Sequence, residues 1–215
     1  MNLFSFKANE IRDLAIAFIV LSTAFGISTV GLDVAAIVSI LPIVMVGVGA
    51  GFLLHEVGHR YMAMRYGYEA EFQLWPLGLV IALASSLIGF VFAAPGSVNI
   101  KAEQLSDEQA GKISLAGPAT NIGLSFAFIL IAALIYPLSV HSSFFHMIYL
   151  IGTVGFSVNG FLAAFNLLPV MTFDGLKVFK WNIAIWLVSF VISGLIVVSA
   201  TFIGAEYMVM FVAGI

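Results

Sequence analysis

The sequence contains no cysteine. That removes disulfides, iron–sulfur clusters and thiolate zinc sites, so any metal must be held by nitrogen and oxygen. Charge is nearly as scarce: 9% of the 215 residues are Asp, Glu, Lys or Arg, and the net charge is −3. The few basic residues form no cationic stripe with interleaved aromatics, which argues against nucleic acid as a partner. Polar stretches are too short to fold by themselves. The expected organisation is therefore one membrane-embedded domain over 1–215 with no appended soluble domain. No internal repeat appears, which argues against a transporter built from two related halves. The opening MNLFSFKANEIRD mixes charge signs, and no small-residue cleavage pattern follows the first apolar run, so that run reads as a retained helix.

What is present is hydrophobicity, 62% of the chain. Apolar runs at about 11–30, 35–62, 113–136, 144–168 and 182–203 are long enough to cross a bilayer. They predict an all-α polytopic membrane protein with five transmembrane helices in contact with lipid.

A sixth run, about 76–95, is ambiguous. Before it, Tyr68, Ala70, Phe72 and Leu74 alternate with Glu69, Glu71 and Gln73, the period-two pattern of a half-buried strand. Its end, FVFAAPGSVNI, is aromatic and β-branched and is broken by a Pro-Gly turn signal. Charge decides how to read it. With this run as a re-entrant β-hairpin or short hydrophobic segment, Lys7, Arg12, Arg60, Arg65, Lys101, Lys112, Lys177 and Lys180 all fall on one side of five spans. With the run crossing, they split evenly. The positive-inside rule favours the first and puts the N-terminus in the cytoplasm of a cell-membrane protein.

One apolar helix carries LLHEVGHRY. Ionisable groups at membrane depth are costly unless paired, placed on a polar cavity, or used. His55 and His59 are four apart and share a helix face, as two imidazoles must to hold one ion, and Glu56 sits beside them where it can move protons for hydrolysis. The bland alternative is interhelical hydrogen bonding. Yet with four His in the chain a chance H-E-x-x-H arises in only roughly a few of a thousand such sequences. Arg60 and Arg65 mark the cytoplasmic end of that helix, so the motif lies near the cytosolic face.

Two His need a third protein ligand. Candidates are Asp13, Asp33, Asp107, Asp174, the other Glu residues, His141 and His146. Asp174 has a suitable depth in NLLPVMTFDGLK, although Asp-Gly by itself is also a common turn signal. His141 and His146, five apart in a short outer loop, are poorly spaced for a metal. Trp75, Trp181 and Trp186 sit near span ends, as interface anchors do.

H-E-x-x-H at 55–59 together with N-x-x-P-x-x-x-x-D-G at 166–175 resembles the site-2 protease family of intramembrane zinc metalloproteases. GKISLAGPATN, with Gly117, Pro118 and Asn121, is similar to that family's small-residue helix between the two motifs. The resemblance spans a core of about 36–180. It implies one Zn²⁺ per chain held by His55, His59 and Asp174, with Glu56 as general base and Asn166 on the scissile carbonyl. It implies transmembrane protein substrates cut within or near their spans. Phe72, Leu74, Phe92 and Val98 on the expected hairpin are the candidate substrate-binding residues, because an exposed strand edge captures an unwound peptide by main-chain pairing. The competing readings are a membrane metal-ion transporter and a non-catalytic homologue that binds membrane helices. The Glu beside the first His and the filled ligand positions disfavour them. Nothing in the sequence specifies an oligomeric state.

Overall fold

The computed structural model describes residues 6–102, 104–170 and 173–214. Its elements run α1 (Ala8–Val30), α2 (Val34–Arg65), β1 (Glu69–Leu74), α3 (Pro76–Ser86), β2 (Gly96–Lys101), α4 (Asp107–Ser139), α5 (Ser143–Asn166), α6 (Asp174–Trp181), α7 (Ile183–Val198) and α8 (Ala205–Ala213). A π-helical stretch, Ser199–Gly204, joins α7 to α8, so Ile183–Ala213 forms one long apolar unit. With α1, α2, α4 and α5 this makes, among the described residues, five helices long and apolar enough to cross a membrane, as the hydrophobic runs predict.

Polar residues at the helix starts satisfy the first backbone donors, which have no partner within a helix. Asp33 accepts from the Ala36 N–H. Ser106 and Gln109 form a reciprocal capping box, and Asn182 accepts from Ala184 and Ile185. At the other end of α2, Gly67 has φ +83°, a left-handed conformation that turns the chain from helix into β1.

The two strands pair antiparallel, from Glu69 opposite Lys101 to Leu74 opposite Gly96. They make the expected two-stranded hairpin, and the ambiguous run between them carries a short apolar helix. Pro76 opens α3, whose 11 residues reach only about 16 Å and cannot cross a hydrocarbon core of about 30 Å. Of FVFAAPGSVNI only the part from Gly96 onward is strand. Pro95 has no N–H to give a ladder, although its carbonyl accepts from Trp75 N at 2.8 Å.

The main core ties these pieces together. Leu21 of α1, Val44, Val48 and Phe52 of α2, Phe72 of β1, and Leu162 and Phe165 of α5 are all buried in one cluster. Following the chain through alternating spans, the start of α1, the end of α2, the sheet, the start of α4 and α6 share one end of the bundle. All eight Lys and Arg lie in those segments.

Candidate metal centre

His55 and His59 project from one face of α2 toward α4, with Nε2 atoms 2.9 Å apart. Their outer nitrogens are already engaged. His55 Nδ1 lies 2.5 Å from the Asn121 side-chain oxygen, and His59 Nδ1 lies 2.8 Å from the Ile113 carbonyl oxygen. The Asn121 orientation is fixed by its own network, since its Nδ2 donates to the Gly51 carbonyl and to the Asn159 side chain. Because both Nδ1 partners are acceptors, both Nδ1 atoms carry the proton, and both Nε2 lone pairs point inward.

The third group comes from a different part of the chain. Asp174, the first residue of α6, places Oδ2 3.3 Å from His55 Nε2 and 3.0 Å from His59 Nε2. Among the described residues this is the one cluster of three His, Asp or Glu ligand atoms that converge, all within 4.8 Å of one another. Two nitrogen lone pairs and a carboxylate oxygen facing each other with no proton between them favour a cation. Ligands about 2.0 Å from a tetrahedral zinc stand about 3.3 Å apart, so the spacing and the N₂O donor set fit zinc with one position left open.

Close approach of α4 requires a residue without a side chain. A Cβ on Gly117 would stand 2.5 Å from both Nε2 atoms. Glu56 lies beside the cluster, 8% exposed, with a buried Oε2 that has no hydrogen-bond partner among the described residues. An unsatisfied buried carboxylate oxygen is expensive in a core and expected of a group that handles protons.

The cluster opens on a cavity of about 850 Å³. His55, Glu56, His59 and Asp174 line it on one side, and Leu74, Gly96 and Val98 of the sheet line it on another. Asn166 also lies on its wall, although its amide donates to the Leu162 carbonyl of its own helix at 2.9 Å.

The four hairpin candidates separate in the structure. Leu74 and Val98 face the cavity. Phe72 is buried edge-on against Phe52, and Phe92, outside either strand, packs on Phe165 and Phe173. Other ligand candidates point elsewhere: Asp13 pairs with Arg12, and Asp33 caps α2 at the far end. Sequence reasoning missed Asn159 and the role of Asn121 beside His55. An Asn inside an apolar helix is the signal that could have found both.

The chain is 41% identical over 187 residues to a Methanocaldococcus jannaschii protein named "Putative zinc metalloprotease MJ0611", a match covering 86% of this chain and 91% of the relative. It is 25% identical over 155 residues to "Putative zinc metalloprotease YwhC" of Bacillus subtilis, covering 66% of this chain and 69% of that one. No family model matches the chain, and no solved structure is significantly similar to it.

Proposed function

The chain belongs to the site-2 protease family of zinc metalloproteases, and from that premise we propose that it hydrolyses peptide bonds within or near the spans of transmembrane protein substrates. The observation that carries this reading is the opening of one cavity onto both the His55, His59 and Asp174 cluster and a free strand edge.

In this reading His55, His59 and Asp174 hold one zinc ion, the α2 pair fixed by Asn121 and the Ile113 carbonyl. Zinc bound there supplies a Lewis acid for the scissile carbonyl and lowers the pKa of water to near neutrality. Glu56 takes the proton from the attacking water and returns it to the leaving amine, in a site where burial strengthens each electrostatic contact. Asn166 on the cavity wall reaches the carbonyl oxygen once its amide leaves the Leu162 carbonyl.

A transmembrane helix hides its carbonyls in its own hydrogen bonds, so the substrate must unwind before it can be cut. The outer edge of β2 receives the unwound segment by main-chain pairing, with Leu74 and Val98 against its side chains. Phe72 and Phe92 shape the wall from behind. Residues 1–215 act as one membrane-embedded unit, and all eight basic residues at the end that bears the site support a cytoplasmic active site and N-terminus in the cell membrane.

The test is purified protein in liposomes with a single-span substrate, wild type beside Glu56→Gln. Cleavage that needs zinc and disappears in the variant supports the reading. Zinc flux across the liposome without cleavage replaces it with a transporter.

A further inference from the structure

Helix α1 carries a buried acid that the hydrolytic chemistry does not use. Glu10 is 3% exposed. Its Oε1 accepts from Arg60 Nη1 at 2.6 Å and from the Phe72 backbone N–H at 3.0 Å. Arg60 lies on α2 one turn beyond Glu56, with its guanidinium over the Phe6 ring at 4.3 Å. A surface contact repeats the same connection, Lys7 Nζ to Glu71 Oε2 at 2.6 Å. One carboxylate therefore joins the start of α1, the histidine-bearing helix and β1. Stability alone is a poor account of it, because apolar side chains of similar volume would pack as well as a buried ion pair.

Strand alternation says what the contact does. The Phe72 N–H points to Glu10 and so away from β2. In an antiparallel pair, successive residues alternate between facing the partner and facing outward. Phe72 pairs with Val98 and Leu74 with Gly96, so all four turn their backbone groups outward. Trp75 N donating to Pro95 O continues the inward set at the odd positions. A two-stranded sheet has two open edges. Here the β1 edge is occupied at its centre by the Glu10 carboxylate, while the outward groups of Gly96 and Val98 on β2 meet no partner among the described residues and border the cavity.

We propose that Glu10 is a positioning residue: with Arg60 it closes the β1 edge and pins the sheet to α2, leaving β2 as the one edge that a substrate strand joins, at a fixed register to the metal cluster. This rests on the proteolytic reading above.

The test compares wild type with Glu10→Ala and with the double variant Glu10→Met/Arg60→Met, which replaces the pair by apolar side chains and folds even where removal of the Glu10 carboxylate alone does not allow it. Cleavage of a single-span substrate in liposomes is measured beside zinc content. The expected result in each is a KM raised about tenfold, with kcat and zinc content near wild type. The chain has no cysteine, so Lys7→Cys and Glu71→Cys can be bridged selectively by a short bismaleimide, and the bridge should return KM toward wild type. An unchanged KM overturns the proposal. So does a fall in kcat and zinc content at constant KM, which marks a residue that only holds the fold. A zinc-loaded wild type that cuts nothing removes the proteolytic reading itself, and this proposal with it.

Discussion

The Asp174 carboxylate oxygen stands 3.0 Å from the Nε2 of His59, although the two residues belong to separate helices, α6 and α2. That contact is made possible by what surrounds it. Asn121 and the Ile113 carbonyl turn both imidazoles so that their lone pairs face the carboxylate, and Gly117 leaves the space between α4 and α2 clear.

The Asn121 amide orients His55 without joining the cluster. Asn121→Ala should weaken zinc binding about 10–100-fold, the usual cost of losing a partner behind a metal ligand. Competition against a chelator of known affinity measures it, and an unchanged affinity would mean that packing alone holds the ring.

Gly117→Ala would place a methyl group 2.5 Å from each Nε2 atom. The expected outcome is loss of zinc, because the imidazoles can retreat only by breaking their Nδ1 contacts. Gly123→Ala on the same helix is the control: a Cβ there meets nothing within 4 Å, so zinc content should stay normal.

Val98 turns its N–H outward, so proline at this position spares the β1–β2 ladder and removes one hydrogen bond to an incoming strand. Val98→Pro should cut cleavage about tenfold with normal zinc content. Full activity in this variant would retire the β2 edge as the receiving surface.

Phe72 and Leu74 lie two apart on β1 and have different tasks. Phe72→Ala should cost about 3–5 kcal/mol of stability, as large-to-small changes in packed cores do. Leu74→Ala, on the cavity wall, should leave the melting temperature nearly unchanged and raise KM. Thermal unfolding beside cleavage kinetics separates the two.

Much of this was legible in the sequence, and the reasons differ by residue. His55, Glu56 and His59 belong to one helix, where spacing alone fixes which face each occupies. The five long helices follow from runs of apolar residues matched to bilayer thickness. Asp174 was legible only in part: Asp-Gly reads equally as a turn, and its place beside the histidines depends on how α5 and α6 return the chain. The 76–95 run resisted because a short apolar stretch with glycine and serine suits a helix or a strand equally, and the pairing of Glu69–Leu74 with Gly96–Lys101 is non-local. Phe72 and Phe92 read as hairpin contacts, but their ring packing depends on α2, α5 and the segment before α6. Glu10 gave no signal at all, since an acid in a first helical turn ordinarily means a favourable helix dipole.

The most direct measurement is zinc per chain, by elemental mass spectrometry on purified wild type and on Asp174→Ala. One zinc in the wild type, lost in the variant while the helical content persists, is the result this account predicts. A full complement of zinc retained without the Asp174 carboxylate would contradict it.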